Sequence, residues 1–519
     1  MKSGLPDTTL VLLVFLAAWA GVNLPILGSP LGRYPVVDAR WHMLWAEAVS
    51  DGDLFIYAPY FRAPLYPWLL GGWFGLFGSG AVSGALLSMA LGAGTVVLLH
   101  RTGLAFTSRC AAFLIAAVWA LWGTALLYQG FMLIEPLYMF LLCASFLALC
   151  RRSDSPAPWF LLGLSCIARP GAVLLLPVSI LLFRPRVRSW AAWFIPVVAV
   201  WAVNVFSGDP GTVISSQGGI NFFVGSGPDA DGVTAFAPTG RREPSGELPY
   251  VDNVWAASLA PLSADATPST VSSYWTRSTM RHVVSRPIGS LVLLLRKALF
   301  LLSPVEIPCN YDAYYMGRIS PLAGVLVTGP PFTLPGLLLW LLLPGALLAG
   351  RAGEFEKRAL AWVLTLAVGL APFFITARFR LPLIPFVLLF MVPRFLRVWK
   401  RGVLTAPLGA ALGVGLAVLT GPAVETSGVN MPFHDGMANY SSGNRREARS
   451  LFMQSWERAS IRIDGVDLNG TDALYNLGVM DLEDGDREGA VFWFGKALEW
   501  NPGHGPSREA LRNLTPEWQ

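Results

Sequence analysis

Asp38 and His42 stand four residues apart in Val37-Asp38-Ala39-Arg40-Trp41-His42. On a helix that spacing brings both to one face, where a carboxylate can act as general base on an acceptor hydroxyl. An N-cap or a solvated loop acid is equally compatible with spacing alone. Glu135, in Ile134-Glu135-Pro136, opens an apolar run, where an acid is costly unless it faces a cavity or a partner. The other reading is a carboxylate at the membrane interface. Arg169, in Ala168-Arg169-Pro170, interrupts an apolar stretch and suits either a structural ion pair or function. Arg378 and Arg380 lie in Thr376-Ala377-Arg378-Phe379-Arg380-Leu381-Pro382, between two apolar runs. Arginines there can clamp a phosphate through paired N–H groups, or bind lipid headgroups. Arg296 and Lys297 carry the same two readings. Arg62 falls in Phe61-Arg62-Ala63-Pro64-Leu65-Tyr66-Pro67-Trp68, whereas Asp51 and Asp53, flanking Gly52, read as a turn.

What must position these residues is membrane-spanning helix. Of 519 residues, 54% are hydrophobic and 14% charged, and the mean hydropathy is +0.52. Soluble domains carry about 25% charged residues, so lipid is the main solvent expected. The net charge of +5 is modest, and its basic residues cluster between apolar runs, which points to cytoplasmic loops and away from nucleic acid. A span needs roughly 20 apolar residues. The runs of suitable length are Thr8–Leu27, Ala81–His100, Cys110–Tyr128, Phe131–Cys150, Ser189–Phe206, Pro331–Gly350, Ala359–Thr376, Leu381–Val398 and Val403–Pro422. The fold class expected is all-α and polytopic, with about nine full spans and a broken pair. The first run reads as a retained span, because Lys2 offset by Asp7 makes a weak signal-peptide flank and further apolar runs follow. The five cysteines show no metal spacing and read as small buried hydrophobes.

Placing the basic clusters inside fixes the parity of the crossings. Trp159–Phe183 is flanked by such clusters on both sides, yet is too short for two crossings. Two half-helices broken at Arg169–Pro170 resolve this, and such a break is tolerated only where it lines a polar cavity. By the same parity Gly28–Gly80, Ser207–Arg286, an interfacial helix Pro287–Leu302 and everything after Pro422 lie outside. Asp38, Glu135, Arg169, Lys297 and Arg378 then share one exterior membrane plane. That suits a reaction between a lipid phosphate and a hydroxyl, since transporter sites sit near the bilayer midplane. The division expected is a membrane domain over 1–422, with exterior regions 28–80 and 207–330, and a soluble tail over 423–519.

The tail contains an internal echo. Leu474, Leu477, Gly478, Ala490, Phe494, Ala497 and Pro502 fall at tetratricopeptide (TPR) positions. Gly436, Gly443, Ala448 and Phe452 align with Gly478, Gly485, Ala490 and Phe494 at a constant offset of 42. About three repeats are normally needed for stability, so the pair is expected to lean on the membrane domain or on a protein partner.

Across Thr8 to Val398 the chain resembles the C-type membrane glycosyltransferases (GT-C), especially the branch of protein O-mannosyltransferases and lipid A aminoarabinose transferases. The resemblance rests on Val37-Asp38, Arg62-Ala63-Pro64-Leu65-Tyr66-Pro67, Ile134-Glu135-Pro136, Ala168-Arg169-Pro170, Gln217-Gly218-Gly219-Ile220-Asn221-Phe222 and Arg378-Phe379-Arg380-Leu381-Pro382, in that order. It implies transfer of a sugar from a polyprenyl-phosphate donor to a glycan, lipid or protein acceptor, at the outer face of a bacterial plasma (inner) membrane. By the resemblance Asp38 is the catalytic base and Glu135 a second acid. Arg169, Arg378, Arg380 and Lys297 hold the donor phosphate, with His42 and Arg62 accessory. The chain departs from the pattern at Ala39, where many relatives carry a second acid, and at Arg62, where some carry a carboxylate. The resemblance leaves a divalent cation open. Two other readings compete. One is an O-antigen-type ligase or polymerase, for which His282 is the suitable exterior histidine. The other is an envelope scaffold recruiting partners through the tail.

Overall fold

The computed structural model describes residues 5–234, 262–263, 265–327, 334–423, 430–460 and 469–514. The remainder of the expected exterior region 207–330 and of the tail lies outside the described residues. Among the described residues there is no β-strand, only an isolated bridge between Cys309 and Tyr311. The chain is an all-α polytopic membrane protein. Five helices are long and apolar enough to cross a membrane: Pro6–Gly28, Ala81–Phe106, Val187–Phe206, Ala377–Arg397 and Val403–Thr420. Shorter apolar helices cover Arg109–Ala120, Pro156–Ala168, Pro170–Phe183 and Gly336–Leu348. Helices Glu135–Arg152 and Glu354–Leu370 fill the two remaining apolar runs. Burial ranks these elements. The most apolar window of Ala377–Arg397 is 72% buried against 28% for Val403–Thr420, so the helix carrying Arg378 is central and the last one peripheral.

Three breaks shape the interior. Cys110–Tyr128 is not one helix but two, Arg109–Ala120 and Gly123–Tyr128. At the join a Cβ on Gly123 would lie 2.7 Å from the Leu326 carbonyl oxygen, so close backbone approach requires the glycine. The second break stands where the sequence places it. Helix Pro156–Ala168 ends at Arg169, whose backbone is extended (φ −143°, ψ 112°), and a 3-10 turn Pro170–Leu174 leads into Leu175–Phe183. Pro170 disfavours helical geometry in the residue before it and offers no N–H. The third break separates Leu370 from Ala377, where Pro372 cannot continue a helix and the Ile375 and Ala377 amides donate to the Gly232 and Ile307 carbonyls. The Pro287–Leu302 helix leaves Leu291, Leu295, Leu299 and Leu302 exposed while burying Lys297 and Phe300.

In the tail the echo becomes duplicated packing. Gly443 and Gly485 both adopt positive φ (78° and 83°) at interhelical turns. Ala448, Ala490, Phe452 and Phe494 are all buried. A Cβ on Gly436 would come within 2.8 Å of the Phe452 ring, and one on Gly478 within 2.6 Å of Phe494. The first tail helix, Met431–Ser441, leans on the membrane domain: Met431 and Ala438 join its core, and the Tyr315 hydroxyl donates to Asp435 at 2.7 Å. Gly478→Val should therefore overpack the crossing by about 1–3 kcal/mol. Limited proteolysis should cut the variant tail faster than wild type; equal rates would contradict so tight a crossing.

Candidate functional site

Val37–Ser50 forms a helix with Asp38 in its first turn, where the helix dipole favours a carboxylate. Val37 itself has φ 51°, a conformation that a β-branched residue adopts only at a cost of about 1–3 kcal/mol. That strained residue directly precedes the acid. Glu135 is the first residue of helix Glu135–Arg152 and is fully buried. Arg169 projects from the break between two half-helices, and Arg378 from the four-residue helix Ala377–Arg380 that opens the central helix.

These elements bring the charges into one alternating chain. Arg62 Nη1 lies 2.5 Å from Asp38 Oδ1. Arg378 donates through Nη1 to Asp38 Oδ2 and through Nε to Glu135 Oε1, the latter at 2.5 Å. Arg169 Nη2 reaches the same Glu135 oxygen at 2.6 Å. The order is Arg62, Asp38, Arg378, Glu135, Arg169: three cations and two anions. Aromatic rings fix the outer cations. The Arg62 guanidinium lies 4.6 Å from the Trp41 ring centre, and that of Arg169 lies 4.8 Å from Phe379 and 5.5 Å from Tyr138.

Asp38, His42, Arg62, Arg169 and Arg378 all line one cavity of about 250 Å³. Gln217 and Asn221 supply amides on one side, and Phe373, Phe374 and Phe379 make an apolar wall on another. Burial works against ionised Asp38, but Arg62 and Arg378 outweigh it and hold the carboxyl well below its ordinary range. His42 Nδ1–H donates to the Met132 carbonyl oxygen, 2.8 Å away, and burial drives its pKa down to about 4. It is therefore neutral at pH 7, and the chain of five charges keeps a surplus of one positive charge facing the cavity. The pH dependence follows in sign. An unfolded His42 binds its proton near pH 6.5 and the folded one near 4, so its contribution is fully present above about 6.5 and is lost as pH falls toward 4. Thermal unfolding in detergent should show wild type losing more stability between pH 7 and 5 than His42→Gln; parallel losses would remove His42 as the cause.

The site departs from the sequence reading at two cations. Arg380 turns away from the cavity and pairs with Glu306 at 2.7 Å, bonding also to the carbonyls of Phe300, Ser303 and Val305. Lys297 does not line the cavity either. Its ammonium donates to Ser226 Oγ and the Ala371 carbonyl, each at 2.9 Å, and burial lowers its pKa to about 8. Their hydrogen bonds make Arg380 and Lys297 internal ties. His282 sits on helix Pro268–Ser285, outside the cavity. Tyr138 was absent from the expected set although it follows Glu135 by three residues, a spacing that shares a helix face.

Among the described residues no group of three or more His, Cys, Asp and Glu is placed to hold a metal ion. Both Asp38 oxygens and Glu135 Oε1 already accept from guanidinium groups, and of these two acids' oxygens only Glu135 Oε2 has no partner among the described residues. Three arginines around two such acids do not fit a divalent cation.

No family model matches this sequence, and no curated protein matches it. Similar solved structures include the archaeal oligosaccharyltransferase AglB from Archaeoglobus fulgidus, in complex with an inhibitory peptide and a dolichol-phosphate. The TM-score is 0.39 at 13% identity, over 89% of this chain and 58% of that one. The Archaeoglobus fulgidus oligosaccharyltransferase tethered to an acceptor peptide containing the NVT sequon gives 0.36 at 13% identity, over 92% and 59%. This chain thus spans less than two thirds of the length of either. A likeness at these values assigns no residue a role.

Proposed function

We propose that the protein transfers a sugar from a polyprenyl-phosphate donor to an acceptor hydroxyl at the extracytoplasmic face of a bacterial plasma membrane. The observation that supports this reading best is the convergence of Asp38, Arg62, Arg169 and Arg378, far apart in sequence, on one cavity that keeps a surplus positive charge. An anion entering it meets Arg169 and Arg378, both aligned beforehand by Glu135, and phosphate suits their forked N–H geometry. The apolar phenylalanine wall suits the first isoprene units of the carrier.

In the reaction the acceptor oxygen attacks the anomeric carbon, its proton passes to Asp38, and the carbon–oxygen bond to phosphate breaks with the electron pair leaving on phosphate. The arginines neutralise the charge that develops there, so no general acid is required. Asp38 in ion pairs with two arginines is a weak base. Donor phosphate competes for Arg378, and by drawing that cation away it strengthens Asp38 when the substrate is in place. A single displacement inverts the anomeric centre. The exterior tail, read as TPR-like over 423–519, stands outside this chemistry and is assigned to partner or acceptor recruitment.

The test is stereochemical. A donor of known anomeric configuration is supplied to the full-length protein in lipid nanodiscs, and the glycosidic linkage of the product is read by NMR coupling constants. Inversion with release of polyprenyl phosphate is expected. Retention would sink the single displacement with Asp38 as base.

A further inference from the structure

Beside the cavity, on the far side of the loop through Ser215, lies a second and quite different hollow. Two volumes of about 320 and 230 Å³ share Gly211, Ser269, Ser273 and Arg277, and the smaller one is also lined by Ser215 and Ser216. Ser215 lines the charged cavity as well, so one residue separates the two spaces. The partition is held rigidly: the Ser216 and Gln217 amides donate to the Tyr60 and Phe61 carbonyls, each at 3.0 Å.

The chemistry of the hollow is hydroxyl and guanidinium. Arg277 and Arg281 stand four apart on helix Pro268–Ser285, on one face, and neither has a hydrogen-bond or ion-pair partner among the described residues. Ser216 Oγ, which lines the hollow next to Ser215, is buried with no partner among the described residues. No carboxylate lines either volume among the described residues. Asp209, beneath the helix start, has its oxygens taken up by Ser269, Thr212 and the Gly211 amide. Tyr274 adds an aromatic ring at the rim.

We infer that this hollow binds the acceptor, and that the acceptor is an anionic glycan bearing phosphate. A sugar chain is recognised by hydroxyls and by stacking on an aromatic ring, and Ser269, Ser272, Ser273, Thr276 and Tyr274 supply both. Two arginines on one face, with no carboxylate lining the hollow among the described residues, select a phosphate. An acceptor so held presents its next hydroxyl past Ser215 toward Asp38. This rests on the transfer reaction proposed above and adds to it the class of acceptor.

The experiment is equilibrium binding to the full-length protein in zwitterionic nanodiscs. The probes are maltohexaose, maltohexaose 6-phosphate and inorganic phosphate, each also titrated against Arg277→Gln/Arg281→Gln. The phosphorylated oligosaccharide should bind about tenfold or more tighter than the neutral one and than inorganic phosphate, and the double variant should erase the difference. Equal binding of both oligosaccharides, or no binding of either, overturns the inference. So does a phosphatidylglycerol nanodisc in which the arginines retain only lipid headgroups and the oligosaccharide no longer competes. Binding needs no donor and no Asp38, so Asp38→Asn should bind the probe as wild type does. Transfer without probe binding would refute the acceptor class alone, and probe binding without transfer from any donor would refute the reaction alone.

Discussion

Arg378→Gln is expected to lower both stability and transfer. The residue is the centre of the chain of charges, joining Asp38 to Glu135 with its side chain 5% exposed. Removing one member of a buried ion pair typically costs about 3–5 kcal/mol. Here Asp38 keeps Arg62 and Glu135 keeps Arg169, so the lower end of that range is expected. Transfer should fall by about 10²–10³, the loss that follows removal of one donor to a developing oxyanion. The two effects separate in Arg378→Gln/Glu135→Gln, which returns the site from zero net charge to the wild-type surplus of one and leaves no buried carboxylate short of a cation. Thermal melts should recover in the double variant while transfer stays low. If transfer returned along with stability, Arg378 would be structural only.

Asp38→Asn should act in the opposite way on binding and chemistry. Without the carboxylate, the acceptor proton has no base, and transfer should drop by about 10²–10⁴. Donor affinity should hold or tighten, because the surplus charge of the site rises from one to two. A loss of donor binding equal to the loss of transfer would contradict the role of base. The pH profile carries the same logic. With Asp38 held well below its ordinary range by its arginines, kcat/KM should show no acid limb from this group above about pH 4. When bound phosphate draws Arg378 away, the limb in kcat should sit at higher pH than the limb in kcat/KM.

How far the sequence reveals the site depends on the cost of burying charge. Asp38, Glu135, Arg169 and Arg378 stand out because a charge among apolar residues demands a partner or a cavity. Arg169 is the clearest case, since its proline and the parity of the basic clusters together require a break there. What the spacing cannot supply is the partner. Arg378 and Glu135 are 243 residues apart in the chain, and only the fold brings their side chains to 2.5 Å. Arg380 shows a second limit. At about 100° per residue, two positions along a helical turn place it on the opposite side from Arg378, where Glu306 neutralises it. Lys297 has the polarity of a phosphate ligand, but Ser226 and Ala371 occupy it. The fold was legible where an apolar run ended at a proline or a basic cluster. It was not legible at Leu121–Gly123, inside an unbroken apolar run, where packing against Leu326 sets the kink. In the tail the offset of 42 could be read from the sequence because Gly436, Gly478, Phe452 and Phe494 each answer a local steric demand.

The most direct measurement follows the sugar itself. Polyprenyl-phosphate sugars carrying a radiolabel in the sugar ring are incubated with nanodiscs of the full-length protein and cell-envelope acceptors. Label should move from the lipid fraction to an acceptor while unlabelled polyprenyl phosphate accumulates in equal amount, and Arg378→Gln should slow both together. Label that stays on the lipid with every donor, in a protein that remains folded and binds the carrier, would contradict the transfer of sugar altogether.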